Sequence, residues 1–279
     1  MHKIMLWSCS MRRFLARTAE ALACSFLLVL PAVAAQPVPL SSLQEIEAPA
    51  GLSEELSGLQ IRNDAIREAA LSYGARGGLS ARTFELMLEV AKYDTEMSRV
   101  FDFRQLLVPA PSGMLIEPPV IDESQYALKV APEGQEAAVA DRVFAIDKPA
   151  RIVSAPRDWR SYIEREWDMV EPPVAVLLPR TDEERASWRK WVSEGWKMGF
   201  QQADEIFQAD LDRLVKDYTG MVRYRMLLAQ GMVSAPYAMH QDRGVTGGGK
   251  EMRVGDRAIR ITGPSQFEPR AERWTPADR

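Results

Sequence analysis

Gly244-Val-Thr-Gly-Gly-Gly249-Lys250 has the Gly-x-x-x-x-Gly-Lys spacing of a phosphate-binding loop, in which backbone amides surround the phosphates and the lysine bonds them. That chemistry also needs a Ser or Thr next, to hold magnesium, and here the next residue is Glu251. The loop should sit between a buried strand and a helix. Instead the polar stretch Met239-His-Gln-Asp-Arg243 precedes it and a hairpin pattern follows. No nucleotide site is expected. His2 aside, His240 is the only histidine, so a Ser/His nucleophile pair or a zinc site would have to use it. It has no metal-ligand spacing around it and is expected as a solvated surface residue. Carboxylates such as Glu183, Glu184, Asp210, Asp212 and Asp217 are spaced as on a helix surface. A pair about 5–9 Å apart for glycan hydrolysis leaves no mark in a sequence, so a periplasmic peptidoglycan hydrolase or glycan-binding protein stays as the alternative function. No catalytic, cofactor-binding or metal-ligating residue is assigned. Trp188 and Trp191 are expected in a core, on the apolar face of a long helix.

The start of the chain bounds this chemistry further. Lys3, Arg12, Arg13 and Arg17 precede an apolar run, Ala21 to Leu30, and then the small residues Pro31-Ala-Val-Ala-Ala35. Those are the parts of a secretory signal peptide, expected over 1–35 with cleavage after Ala34 or Ala35. Met11 is an alternative start, and Arg12-Arg13 admits a twin-arginine reading, with two ordinary positive charges the simpler one. Cys9 and Cys24, the two cysteines, both lie in this leader. Cys24 precedes most of the apolar run, unlike the acylated Cys of a lipoprotein. A mature chain without cysteine has no disulfide, thiol catalysis or Cys-ligated metal. The 35 Lys+Arg are outnumbered by 39 Asp+Glu, and removing the leader makes the balance more acidic, against direct nucleic-acid binding.

Several elements must position whatever function there is. Prolines and serines over 36–60 suggest an extended arm. A helix capped by Asn63 or Asp64 is expected to Ser72, interrupted by a Gly74–Gly78 loop, with a second helix from Ser80 to about Arg99. Short strands follow at 106–108 and 114–116, then a strand–turn–strand over Arg142–Val153. A short helix is expected at Asp158–Trp167. Thr181 or Asp182 caps a long amphipathic helix reaching Gln230, ~70 Å if unbroken, either bent near Gly195, Gly199 or Gly220 or used as a strut. Gly195-x-x-x-Gly199 lets another backbone approach, within the fold or from a partner. A hairpin turning at Gly255-Asp256 comes next. The fold class is α+β, predominantly helical with small β-hairpins. One domain is expected over 61–263, with a tail over 264–279.

Several segments in order resemble the DotC family of type IVB (Dot/Icm-like) secretion and conjugative transfer proteins. They are Arg67–Leu71 with Gly74–Leu79, Leu177–Ala186, Glu194–Gly199, Asp217–Val222, Gly231–Tyr237, and Gly244–Gly249 through Arg260–Thr262. The resemblance implies a non-enzymatic scaffold in a ring-shaped core complex, periplasmic and associated with the outer membrane. It implies partners similar to DotD and DotH, no cofactor, and a glycine-rich loop used as a turn. The leader departs from the family's best-known member in lacking a lipobox, so outer-membrane association is expected through partners.

Overall fold

Thr181 begins the element that organises the fold. Its Oγ1 accepts from the Glu184 amide at 3.2 Å, and Asp182, Glu183 and Glu184 place negative charge on the first helical turn. With no proline inside, α5 (Asp182–Ala229) continues unbroken for 48 residues. It stops at Gly231, whose φ of +70° suits glycine. The Gly231 amide bonds the Leu228 carbonyl and the Met232 amide the Leu227 carbonyl, the paired bonds of a Schellman stop.

The computed structural model describes residues 36–49, 60–110, 113–130 and 137–275. The expected signal peptide, Cys9 and Cys24 lie outside the described residues. The other elements are α1 (Leu40–Gln44), α2 (Gln60–Lys92), α3 (Asp94–Val100) and α4 (Arg160–Ile163), with β1 (Val108–Pro109), β2 (Leu115–Glu117), β3 (Val120–Val130), β4 (Ala137–Lys148), β5 (Arg151–Val153), β6 (Tyr237–Gly248) and β7 (Glu251–Gly263). The fold is α+β with helix predominant, and the sheets are small and antiparallel. No helix among the described residues is long and apolar enough to cross a membrane.

The expected loop at Gly74–Gly78 is helix interior instead. One helix, α2, runs through it and ends at Lys92, short of Arg99. Each glycine there costs about 1 kcal/mol of helix propensity, and packing against α5 overrides that cost. A Cβ on Gly74 would lie 2.2 Å from the Val192 carbonyl oxygen, and one on Gly78 2.2 Å from that of Trp196. Reciprocally, Cβ atoms on Gly195 and Gly199 would lie 2.1 Å and 1.9 Å from the carbonyl oxygens of Leu71 and Ala75. Gly195-x-x-x-Gly199 is thus an internal seam, closed by a second glycine pair. Within the stretch expected as an arm, α1 seats Leu43, fully buried, against Gly77, and the Trp188 Nε1–H bonds the Leu43 carbonyl at 3.0 Å.

Three apolar clusters lie along α5. Leu43, Ile66, Tyr73, Trp188 and Val192 pack near its start. Phe103, Val120, Trp159, Leu214 and Met221 follow, then Ile121, Tyr224, Leu227 and Val233 at its end. Trp191 is only half-buried, held under Arg67, whose guanidinium carbon is 4.3 Å from the ring centroid. The expected helix Asp158–Trp167 reduces to the single turn of α4.

Two strand pairings differ from expectation. Arg142–Ile146 does not turn back on Ala150–Val153. It lies in β4, which pairs with β3, whereas β5 pairs with β2. Gly255-Asp256 is not a turn either. Both residues sit inside β7, and the two-residue turn is Gly249-Lys250, flanked by the Gly248–Glu251 pair. Gly249 takes φ +65° at the position a type II′ turn reserves for glycine. Gly255, at φ +72°, marks a bulge, since Gly244 pairs with Asp256 but Val245 with Val254. Beyond the hairpin the chain folds back. Val233 bridges Phe267, and the Thr275 amide caps the Gln230 carbonyl at 2.9 Å.

Candidate functional site

The carboxylates expected on a solvated helix face are in part the most buried charges of the molecule. Asp217 on α5 is fully buried, accepting from Lys148 Nζ at 2.5 Å, Arg157 Nη1 at 2.9 Å and Tyr162 Oη at 2.9 Å. Arg157 also donates to Tyr162 Oη at 2.5 Å and pairs with Glu117 of β2, which Arg151 of β5 reaches at 3.1 Å. One cluster thereby ties α5 to β2, β4, β5 and α4. At the start of α5, Glu184 accepts both Arg62 Nε and Nη2, while that guanidinium also donates to the Val176 and Leu178 carbonyls. Asp210 is buried between Arg165 and Arg213. Periodicity alone hides such residues, because a buried carboxylate with its own cations has the same spacing as a solvated one.

Burial works against the charged form of Asp217. Hydrogen bonds from Lys148 and Tyr162, with the charges of Lys148 and Arg157, outweigh it and hold the carboxyl below the ordinary aspartate range. Glu184 is depressed by the same contest, burial on one side and Arg62 with the Arg180 amide on the other. Burial, with Asp217 accepting its proton, pushes Tyr162 up to about 12 against the opposing Arg157. These groups hold fixed protonation states near neutrality. Their geometry clamps strands onto a helix.

Outside this clamp the unusual surfaces are two ribbons. On β3–β4, Leu128 is 63% exposed and lies opposite Val139 at 71%, with Val143 on the same face. Tyr126 is 80% exposed at φ +52°, the only non-glycine with positive φ among the described residues. A bulky side chain in that region is strained. On β6–β7, Val245 lies opposite Val254, and Met252, opposite Gly247, shares their face. Val254 and Met252 are 74% and 71% exposed. Adjacent large apolar side chains held in water on a strand face mark an interaction surface more often than a solvated one.

The phosphate-loop lookalike lies along this second ribbon. Gly244–Gly248 belong to β6, Lys250 is in the turn, and Glu251 pairs with Arg253 at 2.7 Å, so no helix follows to cradle a phosphate. His240 is exposed on β6 across from Ile259. Structure brings neither residue to the Asp217 cluster. Among the described residues no group of three His, Cys, Asp or Glu has metal-binding geometry. A groove of ≈ 960 Å³ runs beneath the first ribbon, walled by Phe144, Met226, Met232, Phe267 and Trp274. The apolar face of the first ribbon has no counterpart in the sequence reading because β3 was not expected, and that of the second because a turn at Gly255-Asp256 hides the pairing of Val245 with Val254.

A family model described as type IV secretory system, conjugal DNA-protein transfer, matches residues 60–276. No curated protein matches the chain.

Proposed function

This chain belongs to that family of type IV secretory system proteins of conjugal DNA-protein transfer, and from that premise we propose that it is a non-enzymatic structural subunit of the apparatus, of the DotC-like kind. It acts as a scaffold in the outer-membrane core complex, on the periplasmic side, joined to DotD-like and DotH-like subunits and held at the outer membrane through them. The carrying observation is the pair of ribbons with exposed apolar faces, the first of them fixed to the long helix by buried ion pairs. A scaffold needs surfaces that stay ordered before a partner arrives, and the clamp at Asp217 orders the base of the first ribbon through Lys148 at the end of β4. The acidic balance of the chain supports contact with protein rather than with DNA directly.

The test is mass spectrometry of what co-purifies with a C-terminally tagged copy from detergent-extracted envelopes of cells expressing the whole apparatus. Recovery in a large complex with DotD-like and DotH-like proteins is the expected result. A lone soluble monomer under those conditions would sink the scaffold proposal.

A further inference from the structure

The β6–β7 ribbon is a two-stranded sheet with no third strand among the described residues, and a lone hairpin is marginally stable in water. Its register shows which backbone groups it leaves unused. The pair that closes a two-residue turn exchanges both of its backbone hydrogen bonds, and bonded and non-bonded pairs then alternate away from the turn. Gly248–Glu251 and Thr246–Arg253 are therefore the bonded pairs, while Met252 and Val254 turn amide and carbonyl outward along the free edge of β7. Neither residue bonds the backbone of another element among the described residues. The same two residues hold their side chains on the exposed apolar face. Charge along this edge is one-sided. From Lys250 to Arg260 there are four cations and two carboxylates. Both carboxylates are already engaged, Glu251 by Arg253 and Asp256 by Thr246 and, at 3.9 Å, by Arg243. Lys250, Arg257 and Arg260 are exposed and have no ion pair among the described residues.

We infer that the free edge of β7 takes an extended, acidic segment of another subunit as a third strand. The inference rests on the scaffold proposal and names the chemistry of one partner. Three observations on one edge select that occupant. Outward amides and carbonyls are satisfied by an extended backbone. Side chains of an added strand alternate, so every second one lies beside Met252 and Val254 and is apolar. Carboxylates on the same segment complete the unpaired cations that flank this run, Lys250 and Arg257, and opposite charge steers the encounter. A lipid interior fits less well, because hydrocarbon leaves an open strand edge unsatisfied. Nucleic acid fits less well too, because no Phe, Tyr or Trp for base stacking lies between Tyr237 and Phe267. Gly255, in the bulge, ends the regular edge after Val254, so the added strand is short.

Amide exchange and photo-cross-linking of the tagged full chain test this. Exchange is compared between the chain purified alone and the same chain in complexes extracted from envelopes that contain the whole apparatus. In the complex the Met252 and Val254 amides are expected to exchange about tenfold more slowly, while those of Val245 and Gly247, on the β6 edge, keep their rate. A benzophenone side chain placed at Glu251 should cross-link to one segment of another subunit, richer in Asp and Glu than in Lys and Arg. Adding Lys250→Glu and Arg257→Glu should lower that yield about tenfold without moving the denaturant midpoint of the purified chain. Exchange unchanged at Met252 and Val254, or slowed equally on both edges, would overturn the inference. So would cross-links to another copy of this chain, to a segment without an acidic excess, or to lipid or nucleic acid. A yield indifferent to the charge reversals would overturn it as well. Recovery in a large complex with the β7 edge still open to exchange overturns only the added strand and leaves the scaffold proposal standing. Absence of any complex overturns both.

Discussion

A Cβ added to Gly199 in the α2–α5 seam would lie 1.9 Å from a backbone oxygen, whereas one added to Gly244, Gly248, Gly249 or Gly255 in the β6–β7 ribbon meets nothing within 4 Å. The residue type is the same and the physics opposite. In the seam, glycine is required because a side chain would hold two backbones apart. In the ribbon it is required, where it is required at all, because the chain turns through positive φ. The seam is therefore specified by contact and the ribbon by local conformation. Substitution separates the two.

The largest effect belongs to the seam. Gly199→Ala is expected to destabilise the fold by about 3 kcal/mol, because the obstacle is backbone and cannot rotate aside, and this exceeds the roughly 1 kcal/mol that alanine gains in helix propensity. Urea unfolding followed by circular dichroism measures it. A stability equal to that of the unaltered chain would mean the helices are not in van der Waals contact there. Gly248→Ala, with open space and no positive φ, should change stability by no more than about 0.5 kcal/mol.

Next comes the ion cluster that ties α5 to β2, β4 and β5. Asp217→Ala leaves Arg157 and Lys148 without their buried partner and should cost about 3 kcal/mol at pH 7, less to the extent that half-exposed Lys148 is rehydrated. The folded carboxyl is depressed, so its stabilisation is complete above the ordinary carboxylate range near ~4 and is lost as pH falls through the lower folded value. The gap between Asp217→Ala and the unaltered chain should accordingly narrow on going from pH 7 toward about pH 3. A gap that widens on acidification would mean that Asp217 is neutral in the folded state.

Gly255→Ala is smaller, about 1 kcal/mol, the cost of a left-handed conformation for a residue with a Cβ. Its signature is local. Amide exchange should rise in β6 and β7 while α2 and α5 stay protected. Loss of protection in the helices would mean the ribbon and the seam unfold together, contrary to their separate construction.

What was legible in the sequence follows the same division. The long helix from Asp182 was readable because its cap, its first-turn acids and its three-to-four spacing all agree. The Gly74–Gly78 segment was not, since three glycines in five residues signal a break unless the partner helix is known to bring Gly195 and Gly199 against them. Gly255-Asp256 misled in the other direction. A dipeptide that makes a good turn in isolation is a bulge here, because the register follows from the turn at Gly249-Lys250. For the candidate site, the exposure of His240 was legible from its polar neighbours. The burial of Asp217 and Glu184 was not, because their cations Lys148, Arg157 and Arg62 come from remote parts of the chain.

The smallest effect on stability sharpens the comparison most. Val254→Ser removes an apolar side chain that is 74% exposed, so little area is lost to water on unfolding and the change in stability should stay within about 0.5 kcal/mol. A functional consequence is nevertheless expected, since the same side chain stands on one of the two exposed ribbon faces that carry the scaffold proposal. The measurement pairs denaturant unfolding of the purified variant with its sedimentation in envelope extracts. Unchanged unfolding with a shift toward smaller species assigns Val254 to assembly. A loss of stability of about 2 kcal/mol would instead place it in an internal core and remove the ribbon face from the candidate surfaces.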